Sequence, residues 1–153
     1  MQRPIQEVLS VNSLKYMFRP ESVAIVGASD DPEKWGHGVL RNIIEGGYEG
    51  RIYAVNPRAD TVLGMKCHKT LADIPGEIDL AFIVIPSPFV LGAVRDAIAK
   101  GVKSLVIITA GFSETGAEGR KREAEIRALC EEAGVPAAGP NCMGVCSFRV
   151  KMP

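Results

Sequence analysis

Ser22-Val23-Ala24-Ile25-Val26 runs into Gly27-Ala28-Ser29, and glycine returns at Gly36 and Gly38. The five mostly apolar, β-prone residues read as a buried strand. The small residues after them read as a tight turn, and a helix opens near Trp35 to Val39. Strand, turn and helix start in that order can hold an anion. The first N–H groups of a helix lack partners within it, and its dipole favours negative charge. Small residues suit the turn because a Cβ would keep a phosphate off the backbone. Lys34 and Gly36, at the helix opening, are counted to the same cradle. A ligand-free βα turn reads alike over so short a stretch, so the rest of the chain carries the argument.

Further strands are expected at 51–55, 79–85, 105–108 and 135–138. The last is short and contains Pro136, which places it at an edge. Between them, Val39, Leu40, Ile43 and Ile44 form one helical face that stops at Gly46-Gly47. Val90, Leu91, Val94, Ala97 and Ile98 form another that stops at Gly101. A third helix, led in by the polar stretch 114–121, buries Ile126, Leu129, Cys130 and Ala133 and ends at Gly134. Gly64 to Cys67 reads as a small extended piece and Thr70 to Ile74 as one helical turn. Leu14, Met17 and Phe18 read as an amphipathic turn packed on the core ahead of Pro20.

Strands and helices alternate at about 26 to 30 residues per unit, which predicts an α/β fold: a single Rossmann-like, doubly wound parallel sheet of about five strands. Right-handed crossovers bring every strand's carboxyl end to one edge, where such sheets bind ligands. The five ends there are Gly27-Ala28-Ser29, Asn56-Pro57-Arg58, Pro86-Ser87-Pro88, Thr109-Ala110-Gly111-Phe112 and Gly139-Pro140-Asn141-Cys142. All are rich in turn-forming residues, the composition of a constructed pocket.

The 153 residues make one domain, with residues 1–21 a lead-in, 22–147 the binding domain and 148–153 a tail. Eighteen basic and eighteen acidic residues cancel, so no nucleic-acid or membrane-surface partner is expected and any anion site must be local. No apolar run approaches the roughly 18 residues of a membrane span. The first twelve residues lack the apolar core of a signal peptide. Four cysteines without a pairing pattern imply reduced thiols and a cytoplasmic setting. Cys67-His68 with Cys142 and Cys146 fits no zinc framework, and Cys142 has no obvious base to make it a nucleophile. No metal and no catalytic residue are expected. His37 covers the helix start or touches a phosphate, and Trp35 stacks on a base or plugs the loop.

A NAD site carries an acid after its second strand to accept from the ribose hydroxyls. Here Arg58 stands in that region, a residue that cannot accept but can neutralise a phosphate on the ribose. NADP and coenzyme A remain. Ser29 and Pro32 replace the second and third glycines of G-x-G-x-x-G, which leans toward a diphosphate lying differently from a dinucleotide's, hence toward coenzyme A.

Taken together, Val26-Gly27-Ala28-Ser29, Val55-Asn56-Pro57-Arg58, Ile85-Pro86-Ser87-Pro88, Ile108-Thr109-Ala110-Gly111-Phe112-Ser113-Glu114 and Gly139-Pro140-Asn141-Cys142-Met143-Gly144 resemble the CoA-binding domain of NDP-forming acyl-CoA synthetases, relatives of the succinyl-CoA synthetase α subunit. The resemblance covers roughly residues 12 to 147. It implies that Ala28 and Ser29, in the turn that Gly27 opens, hold the CoA phosphates and that Arg58, after Asn56-Pro57, lies near the adenosine phosphate. Ile85, Pro86 and Ser87 with Ile108, Thr109 and Ala110 would line the pantetheine path, and Asn141 and Cys142 would stand where the thiol meets chemistry. Ala110 stands where succinyl-CoA synthetases have Glu and matches the acyl-CoA synthetase branch instead. The family's phosphohistidine lies in a second domain, and neither His37 nor His68 matches it. Its nucleotide-grasp portion is likewise outside these residues. The resemblance therefore implies an acid–thiol ligase part that binds CoA or acyl-CoA, works with further domains or a companion subunit, and does not turn over alone. The alternatives are an NAD(P)-binding oxidoreductase domain and a non-catalytic CoA- or dinucleotide-sensing module.

Overall fold

The computed structural model describes residues 11–152, so expectations for residues 1 to 10 lie outside the described residues. The chain runs α1 (Val11–Phe18), β1 (Ser22–Val26), α2 (Trp35–Glu45), β2 (Arg51–Val55), β3 (Thr61–Val62), β4 (Met65–His68), β5 (Leu80–Ile83), α3 (Ser87–Lys100), β6 (Ser104–Ile107), α4 (Ala117–Ala133) and β7 (Ala137–Ala138). One seven-stranded sheet has the order β3-β4-β2-β1-β5-β6-β7. All pairings are parallel except β3 with β4. The two strands beyond the expected five are β3 and β4. Leu63 and Gly64, both at positive φ, close them into a hairpin, and β4 then joins the edge of β2.

Strand β1 lies at the centre, and Val23, Ala24 and Ile25 are fully buried there. That is why the strand is apolar on both faces rather than alternating. Helices α3 and α4 cover one face: Val90, Val94, Ala97, Ile126 and Cys130 pack against Ala24, Ala81, Leu105 and Ile107. Leu40 and Ile43 of α2 and Met17 of α1 cover the other, against Val23, Ile25, Leu80 and Val106. Both α3 and α4 end on a glycine in the left-handed region, Gly101 and Gly134, which frees the chain to turn back into the next strand.

Some side chains leave the faces expected of them. Ile44 is 39% exposed and Ala133 is exposed; both sit in the last turn of their helices. Met17 alone of its turn is buried, while Leu14 and Phe18 are largely exposed. Strand β5 is shorter than expected, since residues 84–86 already bend toward α3, whose first turn takes Ser87 and Pro88 out of the expected loop. Proline is tolerated there because first-turn N–H groups are unpaired in any case. The segment 147–152 folds back, with Ser147 N–H donating to the Met152 carbonyl and Met152 buried in the core.

Candidate functional site

The sheet order turns around at β1, with β2 on one side and β5 on the other. Crossover connections leave β1 in opposite directions, and a crevice opens above its carboxyl end. Gly27 closes that strand at φ +98°, and its N–H donates to the Val55 carbonyl over 2.9 Å. A Cβ here would run into the Val84 carbonyl oxygen. A Cβ on Gly36 would run into the carbonyl of Gly27, so the start of α2 rests directly on the turn. Lys34 is the N-cap of α2 and offers no side-chain cap. The N–H groups of Trp35 and Gly36 find no partner among the described residues, which is the donor arrangement that favours an anion.

The loop between β1 and α2 is tied down from several sides. Ser29 Oγ accepts from the Asp31 N–H at 3.1 Å, and Asp31 Oδ1 accepts from the Glu33 N–H at 3.1 Å. Asp30 Oδ1 accepts from the Leu63 N–H at 2.7 Å, joining the loop to the β3–β4 hairpin. His37 is buried, with Nδ1 3.2 Å from the Ser29 carbonyl oxygen. It covers the helix start. Asn56 ties the loop to the next strand end. Its Nδ2 donates to the Ala28 carbonyl at 2.8 Å while its Oδ1 accepts from the Arg58 N–H at 2.9 Å. One side chain thus sets the register between the β1 turn and the turn that carries Arg58, an Asx turn bridged to its neighbour.

The ends of β5, β6 and β7 are cross-linked in the same way. Thr109 Oγ1 donates to the Ile85 carbonyl at 2.7 Å, and the Asn141 N–H donates to the Thr109 carbonyl at 2.9 Å. The Cys142 thiol lies 3.3 Å from the Ile107 carbonyl. The Glu114 carboxylate accepts from the Gly111 and Phe112 N–H groups, and these bonds, Gly111 foremost, hold its carboxyl below the usual glutamate range.

These strand ends enclose a cleft of about 990 Å³. Gly27, Ser29, Lys34 and Gly36 line it from the β1 side, and Asn56, Pro57 and Arg58 from β2. Ile85 and Pro86 follow from β5, Ile108, Thr109 and Ala110 from β6, and Asn141 and Cys142 from β7. Two expected residues stand off the wall. Ala28 is fully buried and turns its carbonyl to Asn56. Ser87 sits in the first turn of α3, with its hydroxyl toward Gly111. Trp35, 60% exposed, stands on the rim. Lys69, Thr70 and Leu71 arrive from the turn after β4, and Phe89, Ala93 and Asp96 from α3. The signal for the last three was present: they are spaced i, i+4, i+7 from a Pro-Ser-Pro helix start, so they share one face.

The cleft has two halves. Around β1 and β2 it offers Lys34, Arg58 and Lys69, the Ser29 hydroxyl and uncapped N–H groups, with Glu33 also on the lining and Asp31 3.7 Å from the Lys34 ammonium. Toward β5 and β6 it is mostly apolar, walled by Val84, Ile85, Ile108, Phe89 and Met143, with Thr109 and Asp96 its polar members. Such a site fits an elongated ligand, polyanionic at one end and neutral at the other. Among the described residues no His, Cys, Asp and Glu cluster could hold a metal. Cys67 and Cys130 are buried, which pushes both thiols up. His68 packs edge-on against Tyr53, with ring centroids 5.9 Å apart.

A doubly wound domain with its anion cradle at the β1 switch point is a nucleotide-cofactor binder. Residues 21–147 match the family described as CoA binding domain, and the chain belongs to it. It is 46% identical over 140 residues to the subunit alpha of acetate–CoA ligase [ADP-forming] II of Pyrococcus furiosus, covering 91% of this chain and 30% of that protein. Among solved structures, dinucleotide-forming acetyl-coenzyme A synthetase 1 of Ca. Korarchaeum cryptofilum, in complex with phosphate and ADP, superposes with a TM-score of 0.87. The two are 38% identical, over 91% of this chain and 30% of that one. A conserved hypothetical protein of Pyrococcus furiosus is 30% identical with a TM-score of 0.64, over 80% of this chain and 95% of its own. The chain thus spans between about a fifth and a third of the length of its ligase relatives. It is a coenzyme A-binding domain resembling the corresponding part of ADP-forming acyl-CoA synthetases.

Proposed function

We propose that coenzyme A or an acyl-CoA lies along the carboxyl edge of the sheet, its diphosphate over the β1 turn and the start of α2. The 3′-phosphate then meets Arg58, and pantetheine runs between the β5 and β6 ends toward Cys142. The observation that carries this reading is the division of the cleft: a cationic, N–H-rich half joined to a mostly apolar half, as one ligand with three phosphate groups and a neutral arm requires. Asn56, Thr109 and Asn141 hold the walls in place before the ligand arrives, which lowers the cost of ordering on binding. The parent reaction is acyl-CoA, phosphate and NDP to acid, CoA and NTP, or its reverse. In it this chain supplies the thiol substrate's seat. Phosphoryl transfer belongs to further domains or a companion subunit bearing the phosphohistidine and a nucleotide-grasp fold. Four free cysteines and the absence, among the described residues, of any helix long and apolar enough to cross a membrane are in keeping with a cytoplasmic enzyme.

Calorimetric titration with CoA, 3′-dephospho-CoA and NADP tests the reading. CoA binds, binding weakens without the 3′-phosphate, and Arg58→Ala weakens CoA about tenfold while leaving 3′-dephospho-CoA within about twofold, as the loss of one charge-assisted contact entails. Binding of NADP in preference to CoA supports the oxidoreductase alternative, which shares the phosphate-facing arginine, and overturns this one.

A further inference from the structure

Arg58 is not the only cation in its half of the cleft. Lys69, from the turn after β4, lines the same wall. Its ammonium lies 3.0 Å from the carbonyl of Ala59, the residue next to Arg58, and 2.7 Å from Asp60 Oδ1. The two cations come from different elements, and the hairpin brings them together. Hydrogen bonding by Lys69 keeps the Asp60 carboxyl below the usual aspartate range. Neither partner is sequestered: the lysine side chain is 47% exposed and the aspartate 92%. An ammonium carries three donors, and two are used here, so one is left for a ligand.

On the reading of the cleft given above, we propose that Lys69 is a second reader of the ligand's ribose phosphate, acting with Arg58, and that Asp60 holds its ammonium in place at a cost in anion affinity. An exposed lysine–aspartate pair contributes little to stability, so breaking it leaves the fold intact and lets a binding measurement report on the ligand. A doubly charged phosphate monoester flanked by a guanidinium and an ammonium is a common recognition pattern, the first giving directional contacts and the second a mobile point charge. The pair distinguishes a ligand with a ribose phosphate from one without it.

The two partners of the ion pair give the test its sign. Lys69→Met removes a charge from the anion's side and weakens CoA about five- to tenfold, with 3′-dephospho-CoA changed by less than about twofold. Asp60→Asn removes the competing carboxylate and tightens CoA by about two- to threefold. Lys69→Arg retains CoA binding. A structural staple predicts instead that both neutralising variants break the same bond and weaken binding alike. Equal losses for CoA and 3′-dephospho-CoA in Lys69→Met, or weakening in both variants, overturns the role of Lys69 and leaves the cleft reading standing. Failure of the wild-type chain to bind CoA removes both together.

Discussion

The two edges of the sheet carry similar chemistry and use it in opposite ways. At the amino edge Ser22 Oγ donates to the Glu77 carbonyl and accepts from the Asp79 N–H. Ser104 Oγ donates to the Asp79 carbonyl at 2.8 Å, and the Asp79 carboxylate accepts from the Glu21 N–H at 2.7 Å. Ser22, Asp79 and Ser104 are buried, and their hydroxyls and carboxylate are spent on the chain itself. At the carboxyl edge Asn56 and Thr109 are also spent internally, but the Arg58 guanidinium finds no partner and the first N–H groups of α2 stay uncapped among the described residues. Buried polar groups must be paired for the fold to stand. Groups left unpaired at an open cleft are available to something else. The closed edge is framework, and the open edge carries the proposed site.

Breaking the open edge has the largest effect. Gly27→Val puts a β-branched residue at φ +98° and its Cβ into the Val84 carbonyl oxygen, so the turn must move. CoA affinity should fall by more than about a hundredfold, since a shift of an ångström in the positioning backbone is costly. Near-normal affinity in that variant would separate the turn from the ligand. At the closed edge the expectation reverses. Asp79→Ala leaves the Glu21 N–H without its acceptor and should cost about 2 kcal/mol, read as a fall in melting temperature of roughly 4–8 °C. CoA affinity of the folded protein should stay within about twofold. A change in affinity without loss of stability would blur the division between edges.

The smallest effect concerns pH. Tyr48, buried with its hydroxyl donating to the Pro20 carbonyl at 2.9 Å, is pushed from 10.0 up to about 12, first by burial and then by Asp79. Folding thus favours the neutral phenol. Its contribution is complete below pH 10 and is lost as pH rises toward 12, so stability should decline across that window. Tyr48→Phe, which has no proton to lose, should show a shallower decline in alkaline denaturation, whereas an identical slope would remove Tyr48 from the framework.

Much of this division was legible in residue order, for physical reasons. A central parallel strand must be apolar on both faces, so Ser22 to Val26 announces itself, and so does the stretch 79–85, of which Leu80–Ile83 is the strand. Left-handed helix ends need glycine, so Gly101 and Gly134 mark the ends of α3 and α4. Strand ends converge on one edge in any doubly wound sheet, so residue order alone brings Ser29, Arg58, Ile85, Thr109 and Asn141 together. What was not legible depends on long-range geometry. That Ala28 faces Asn56 rather than the cleft follows from one side-chain bond across 28 positions. Lys69 reaches the site only because a two-residue strand pairs in a hairpin at the edge, and so short a strand leaves no periodicity to read. Met152 is buried through a fold-back that residue type alone does not announce.

The most direct test of the division is a map of backbone amide chemical shifts on titration with CoA. The shifts should concentrate at Ser29, Gly36, Arg58, Ile85, Thr109 and Asn141, while Ser22, Asp79 and Ser104 stay silent. Perturbations centred on the amino edge, or spread evenly over both, would contradict the assignment of the carboxyl edge as the binding site.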